Sequence, residues 1–181
     1  MLRTERLILE PWRGERLEDF VSICADPEVM RFIGRGTTWD RARGEDAFAR
    51  ALERRRQRGF GRRSLIEESS GRWLGFVEIN AVGPGVAGIE PDELEIGWWL
   101  ASWAWGQGFA TEGAEAIRDE GFERFGLERI IGRFQPANVA SGRIMEKLGM
   151  RYERDTTGRH DEALSIYGLD RSTWLRARKI A

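Results

Sequence analysis

The sequence predicts a mixed α/β fold, with one mixed, mostly antiparallel sheet of about seven strands and helices on both of its faces. Strands follow one another directly in the first half of the chain, and strands alternate with helices in the second half. This order is typical of a sheet that begins with antiparallel neighbours and continues with helix-linked strands. The length of 181 residues suits a single domain over residues 1–181.

The first half is predicted to open with a strand at about 4–11, followed by helical segments at about 15–25, 27–33 and 39–58. Asp26-Pro27 and Gly34-Arg35-Gly36 are typical of breaks between these segments. Strands are then expected at about 60–68 and 73–82, joined by the polar turn Ser69-Ser70-Gly71-Arg72.

The next strand, at about 93–101, has two different faces. One face carries Leu94, Ile96, Trp98 and Leu100, and the other carries Glu95, Gly97 and Trp99. Gly97 is predicted to mark a β-bulge, since an isolated glycine within a strand often does so. The Glu95 carboxylate therefore projects beside a backbone irregularity.

The loop after this strand carries the clearest functional signal. The stretch Trp105-Gly106-Gln107-Gly108-Phe109-Ala110-Thr111-Glu112 is rich in small residues and leads into a helix at about 109–125. The first N–H groups of a helix have no partner within it, and they bind phosphate well. We expect the backbone of residues 107–111 to hold a pyrophosphate, with Gly108 and Ala110 allowing its close approach.

Strand 129–135 is followed by a helix at about 138–148. Asn138 is predicted to cap the start of this helix, and Gly149 to end it in the left-handed conformation. A short strand from about 150, a strand near 162–170 and a helical turn around Thr173 to Arg178 complete the prediction.

Three motifs in this order resemble the GNAT superfamily of acetyl-CoA-dependent N-acetyltransferases: the loop Trp105 to Ala110, the segment Asn138-x-x-Ser141, and the ending Glu146-Lys147-Leu148-Gly149-Met150. The resemblance is greatest to the branch that acetylates the N-terminal alanine of ribosomal proteins. Thr4 to Leu9 is similar to that branch's opening strand, and Glu162 to Trp174 to its closing strand and helix. Trp105 departs from the pattern, because the superfamily usually begins this loop with Gln or Arg.

The resemblance implies acetyl-CoA as co-substrate, no metal, and direct attack by a primary amine in a ternary complex. The residues expected to contact coenzyme A are Leu100, Gln107, Gly108, Phe109, Ala110, Thr111, Asn138 and Ser141. A peptide or protein N-terminus is the favoured acceptor, a small-molecule amine is the alternative, and a homodimer is one expected assembly. A non-catalytic acyl-CoA-binding module of the same fold is the alternative from another functional class.

The chemistry requires a base, because an alkyl ammonium with a pKa of about 10 is almost fully protonated at neutral pH. Glu95 is the leading candidate, and its alternative role is the polar side of an amphipathic strand. Glu78, Asn80 and Trp99 are expected to line the acceptor site.

The departing thiolate needs little help at neutral pH. Ser141 is the candidate acid and Asn138 the candidate ligand of the pantetheine arm, with capping of the helix as the alternative role of both. Glu112 and Glu115 are predicted to complement the helix dipole from the first turn. Cys24 lies far from the loop in sequence, so no covalent intermediate is expected.

Composition limits the classes of function. The chain has 29 basic and 30 acidic side chains, so it lacks the positive electrostatic potential that a dedicated nucleic-acid-binding protein needs. One cysteine and one histidine exclude a disulfide scaffold and a structural zinc site. Arg3, Glu5 and Arg6 open a chain without a long apolar run, so we expect a cytoplasmic location and no membrane partner.

Basic residues cluster near one predicted helix end. We expect this cluster to be a solvated helix terminus, with an acidic substrate or the 3′-phosphate of coenzyme A as alternatives. Its members are Arg54, Arg55, Arg56, Arg58, Arg62 and Arg63.

Overall fold

The structure is a computed structural model that describes residues 1–179. The strands are β1 (Leu2–Arg3), β2 (Leu7–Pro11), β3 (Arg63–Glu67), β4 (Trp73–Ala81), β5 (Leu94–Leu100), β6 (Arg129–Phe134), β7 (Arg151–Thr157) and β8 (Ala163–Asp170). The helices are α1 (Leu17–Ala25), α2 (Pro27–Met30), α3 (Arg41–Arg58), α4 (Phe109–Glu123), α5 (Val139–Lys147) and α6 (Arg171–Arg178). Short 3₁₀ helices span Gly14–Arg16 and Ser102–Ala104.

The eight strands form one sheet in the order β1-β2-β3-β4-β5-β6-β8-β7, so the predicted fold class is confirmed. The strand expected at about 4–11 is β2, and the additional strand β1 before it makes eight strands rather than about seven. Thr4 lies between the two strands, and its backbone N–H donates to the carbonyl of Leu7 at 3.0 Å, which turns the chain back.

Strands β1 to β5 pair as antiparallel neighbours, and so do β6, β8 and β7. Strands β5 and β6 are parallel, and they are paired in register only at Glu95 and Ile131. The carboxyl-terminal parts of these two strands are therefore split apart. The bulge predicted at Gly97 is wrong: Gly97 lies opposite Glu78 in an unbroken β4–β5 register.

Each face of the sheet has its own core. One core packs α4, α5 and α6 against the sheet through residues that include Val77, Ile96, Ile117, Phe122 and Trp174. The opposite core packs α1 and α3 through residues that include Trp12, Phe20, Phe48 and Phe76. Because Phe76 lies opposite Trp99 in the register, the face that carries Glu95, Gly97 and Trp99 is the one that α1 and α3 cover.

Two members of the arginine cluster lie beyond the end of α3 and are buried, whereas Arg56 and Arg58 at the helix end are exposed as predicted. Arg62 and Arg63 are 6% and 4% exposed. Arg63 binds both oxygens of the buried Glu120 in α4 at 2.6–3.0 Å, and Arg62 lies 3.8 Å from the ring centroid of Phe76 and binds Glu78. A guanidinium group tolerates burial when two of its N–H groups donate to the two oxygens of one carboxylate.

The amino-terminal segment is held against the start of α4 by the Glu112 carboxylate. This carboxylate accepts hydrogen bonds from the Thr4 hydroxyl at 2.5 Å, the Arg6 backbone N–H at 2.9 Å and the Arg6 Nε at 2.8 Å. Burial by itself would raise the pKa of Glu112, but these hydrogen bonds and the charge of Arg6 lower it below its ordinary value. Glu112 is a first-turn acid as predicted, whereas Glu115 lies beyond the first turn, so that prediction is wrong.

We expect Glu112→Gln to lower the free energy of unfolding by about 2 kcal/mol at pH 7, the typical size of charge-assisted hydrogen bonds. Because the folded-state pKa is the lower one, this contribution is full above the unfolded-state value near 4.5 and is lost as pH falls through the folded-state pKa. Urea unfolding at pH 7 and at a pH below 4.5 measures the difference. Glu115→Gln is the matched control. A loss of stability in Glu112→Gln that does not become smaller as the pH falls would contradict the role of the Glu112 carboxylate.

Candidate active site

The loop ahead of α4 presents unpaired backbone donors. Gly106 and Gly108 have φ angles of +74° and +83°, in the left-handed region that favours glycine. Within residues 1–179, no backbone N–H group from Gly106 to Thr111 has a hydrogen-bond acceptor in the protein. Such a row of donors at the start of a long helix fits a diphosphate, since both the N–H groups and the helix dipole favour an anion there.

Arg6 and Trp105 support this loop from two sides. Arg6 donates to the carbonyl oxygen of Gln107 at 2.9 Å, and its guanidinium lies 4.7 Å from the ring centroid of Phe109. The Trp105 indole N–H donates to the carbonyl oxygen of Leu100 at 2.9 Å. Trp105 thus holds the loop against the end of β5. Leu100, which was predicted to contact coenzyme A, has a buried side chain, and its carbonyl oxygen already accepts the hydrogen bond from Trp105.

The start of α5 is built as predicted. The Asn138 side-chain oxygen accepts from the backbone N–H of Ser141 at 3.3 Å, and Gly149 has a φ of +78°, so both predicted caps are confirmed. Among the described residues, the Ser141 hydroxyl makes no hydrogen bond, and Ser141 is half-buried. Its hydroxyl is free to contact a ligand.

Glu95 lies at the point where β5 and β6 separate. Both of its oxygens accept from Arg133 of β6, one from Nε and the other from Nη2 at 3.2 Å. Burial alone would lower the pKa of Arg133, but the negative charges of Glu95, Glu162 and Glu78 raise it above its ordinary value. The pair bridges the split, and Arg133 is a residue of the site that the sequence did not single out.

Glu78 and Asn80 surround Glu95 on the same face, because the register places Glu78 opposite Gly97 and Asn80 opposite Glu95. Glu78 accepts from Arg62 at 2.9 Å and from the Asn80 amide at 2.6 Å. The structure therefore brings the predicted base Glu95 close to the predicted lining residue Glu78. Each carboxylate already pairs with an arginine, Glu95 with Arg133 and Glu78 with Arg62.

Trp99 belongs to the aromatic core under α1 and also reaches the surface loop above it. Its ring is stacked on Phe20 at 6.2 Å and contacts Phe76 at 5.4 Å. It also meets the edge of Trp39 at 5.4 Å between ring centroids. Trp99 thus connects the polar strand face to the segment 31–40.

The segment 31–40 covers the carboxyl ends of β5 and β6. Gln135, directly after β6, donates to the carbonyl oxygen of Gly34 at 2.9 Å. A pocket of about 180 Å³ lies at this segment, lined by Ile33, Arg35, Thr37, Trp39, Arg43 and His160. The sequence indicated only a chain break at Gly34-Arg35-Gly36, because nothing local links these residues to His160.

Other chemistries find no support in the described residues. Cys24 is fully buried, and burial raises the pKa of its thiol to about 12, so it is not a nucleophile at neutral pH. Residues 1–179 contain no group of three or more His, Cys, Asp or Glu side chains arranged to hold a metal ion. None of the described helices is both long and apolar enough to cross a membrane.

Comparisons with known proteins agree with this architecture. Residues 6–151 match the model of the acetyltransferase (GNAT) domain. The chain is similar to the FsC-acetyl coenzyme A-N(2)-transacetylase of Aspergillus fumigatus, with 30% identity over 98% of this chain and 79% of that protein. An acetyltransferase crystal structure from Agrobacterium tumefaciens has a TM-score of 0.78 and 27% identity, covering 93% of this chain and 92% of its own.

Two structures with different acceptors share the fold at lower identity. The ribosomal L7/L12 α-N-protein acetyltransferase RimL, in complex with coenzyme A, has a TM-score of 0.72 and 15% identity over 92% of this chain and 95% of its own. The spermidine N-acetyltransferase of Vibrio cholerae, in complex with coenzyme A and spermine, has a TM-score of 0.74 and 15% identity over 95% of this chain and 99% of its own. The chain belongs to the GNAT acetyltransferase family and is an acetyl-CoA-dependent N-acetyltransferase.

Proposed function

We propose that this enzyme acetylates the N-terminal amine of a peptide or protein by direct attack in a ternary complex, as the ribosomal-protein branch does. The observation that carries the proposal is the split between β5 and β6, paired only at Glu95 and Ile131. It leaves a strand edge open beside the N–H groups of residues 106–111, and an extended peptide can pair with such an edge. The cytoplasmic location and the homodimer stay predictions.

The proposed coenzyme A site consists of the backbone from Gln107 to Thr111, with Asn138 and Ser141 across the split. When bound, acetyl-CoA supplies a thioester-activated acetyl group and a thiolate that leaves readily. The N–H row neutralises the diphosphate without a metal. The free Ser141 hydroxyl is the proposed proton donor to the departing sulfur.

We expect Gly108→Val to weaken coenzyme A binding at least fivefold. A β-branched residue is strained at a φ of +83°, and the added Cβ lies 3.3 Å from the Arg6 guanidinium that supports the loop. Calorimetry with coenzyme A measures the change.

Gly126→Val is the matched control, because Gly126 also has a positive φ, has open space around it and lies at the other end of α4. A folded Gly108→Val protein with wild-type affinity, or an equal loss in the Gly126→Val protein, would remove the loop from the site.

Glu95 is the proposed base. Since both of its oxygens accept from Arg133, the amine proton reaches the carboxylate through a water molecule or after a shift of the guanidinium. Arg133 stays charged and holds the carboxylate at the mouth of the split.

Glu95→Gln is expected to lower kcat about 10²- to 10⁴-fold while the affinity for acetyl-CoA stays near that of the wild type. Steady-state kinetics and calorimetry together measure this. Glu93→Gln is the control, because Glu93 bridges β5 to β6 through Arg129 at 3.4 Å and has no proposed chemical role. Full activity of Glu95→Gln, or an equal loss in Glu93→Gln, would reduce Glu95 to a strand bridge, and Glu78 would be tested next.

The charges of the site favour a peptide over a polycation. Glu95 and Glu78 are the carboxylates of the polar strand face, and Arg133 and Arg62 neutralise them. A polyamine normally needs several free carboxylates to offset its charge. The RimL structure and the spermidine N-acetyltransferase structure are equally distant from this chain in sequence, so they do not decide between a peptide and a polyamine acceptor.

We expect short peptides with a small first residue to exceed spermine and an aminoglycoside in kcat/KM at equal ionic strength. Acetyl-CoA consumption measured against both classes tests this. Faster turnover of the polycations than of every peptide would overturn the peptide assignment and support the small-molecule alternative.

A further inference from the structure

We infer that the acceptor carries an anionic group, a carboxylate or a phosphate, which the Arg35 and Arg43 guanidiniums bind in the pocket beside Trp39. This inference rests on the proposed acetylation of an amine at the β5–β6 split and names the chemistry of its acceptor. The pocket is defined by Ile33, Arg35, Thr37, Trp39, Arg43 and His160.

The position of the pocket links it to the acceptor side of the site. Trp39 contacts Trp99, which shares a strand face with Glu95, and Gln135 at the end of β6 holds the carbonyl of Gly34. The His160 ring packs against Gly34, where an added Cβ would lie only 3.3 Å from it. The pocket thus lies over the open ends of β5 and β6, on the face opposite α4.

The pocket carries two positively charged guanidiniums, those of Arg35 and Arg43. Arg35 and Arg43 are exposed, and neither has a carboxylate within ion-pair distance among residues 1–179. Three other arginines of α3 do have one: Arg41 pairs with Glu18 and Glu45, Arg50 with Asp46, and Arg56 with Glu53. The nearest acid in sequence, Asp40, is engaged at the start of α3, where it accepts from the Arg43 backbone N–H at 2.8 Å.

The geometry favours an anion over a neutral group. The Arg43 guanidinium lies 4.5 Å from the Trp39 ring centroid, so the indole restrains it at the pocket wall. Arginine forks bind carboxylate and phosphate through two parallel N–H donors, and the Thr37 hydroxyl adds another donor. A volume of about 180 Å³ is well above what one water molecule needs, so the pocket has room for either group.

The experiment uses peptides with an amidated C-terminus, so that their only anion is the one introduced. The neutral peptide is Ala-Asn-Gly-Phe-amide, and aspartate or phosphoserine replaces its second, third or fourth residue. Alanine and alaninamide form a further pair that tests a free α-carboxylate on a small amine. Each acceptor is assayed with the wild type, with the double variant Arg35→Gln/Arg43→Gln, and with Arg50→Gln, an exposed α3 arginine paired with Asp46, as the control.

We expect the best anionic acceptor to exceed its neutral counterpart at least tenfold in kcat/KM, mainly through KM. The double variant should reduce this advantage to about twofold or less, whereas Arg50→Gln should keep it. Added salt should shrink the advantage in the wild type, because the pocket is open to solvent. No preference for an anion in the wild type, or a preference that survives in the double variant, would overturn the inference.

Calorimetric titration of the best anionic peptide in the presence of coenzyme A gives a readout that does not depend on turnover. Binding that weakens at least tenfold in the double variant supports the pocket, and equal binding refutes it. If binding depends on the arginines but no peptide or small amine is acetylated, the proposed acceptor class fails while the anion pocket stands.

Discussion

The pairing of β5 with β6 at a single position is the constraint on which the rest of this structure depends. Neighbouring parallel strands normally share a run of evenly spaced backbone hydrogen bonds, but here Glu95 and Ile131 are the one registered pair. The two parts of the sheet must therefore be joined by side chains. Ile96 and Ile130 do this in the core beneath α4. Two ion pairs add to it: Glu95–Arg133 joins β5 to β6, and Glu93–Arg129 joins the residue before β5 to the first residue of β6.

The split also determines where chemistry can occur. An open strand edge leaves backbone groups without sheet partners, and such groups bind extended ligands. The chain places a row of unpaired N–H groups before α4 on one side of the opening and the segment 31–40 on the other. Two substrates can thus approach the same gap from opposite faces of the sheet. In the proposed mechanism, the Glu95 carboxylate, on the face that α1 and α3 cover, lies on the acceptor side.

Local patterns in the sequence predicted the parts of this arrangement that depend on neighbouring residues. Alternation placed Glu95 and Trp99 on one strand face, and cap chemistry identified Asn138 and Gly149. The split itself was not predictable from alternation, because strand pairing is a tertiary property and β6 gives no local sign that it pairs with β5 at one residue. The bulge expected at Gly97 failed for the same reason: the irregularity lies between strands rather than within one.

Charged residues were the least predictable part of the fold. A run of arginines is usually a solvated surface, yet Arg62 and Arg63 each meet a carboxylate from a distant element and are buried. Glu95 likewise pairs with a charged residue from another strand, Arg133 of β6. The pocket of segment 31–40 was missed because its lining comes from segments that are adjacent only after folding, and a glycine-arginine-glycine sequence by itself indicates only a turn.

The two ion pairs across the split differ in how completely their arginines are committed. Arg129 contacts Glu93, Glu153 and Asp170; burial by itself would lower its pKa, but Glu153 and Asp170 raise it above its ordinary value. Within the described residues, Arg133 has a single carboxylate in direct contact, Glu95, at the point where the strands separate. Breaking one contact of the Arg129 network leaves other partners in place, so that network is suited to bracing the sheet. The Glu95–Arg133 pair has no second ion-pair partner among residues 1–179, and in the proposed mechanism it is the pair that an incoming amine and its proton rearrange.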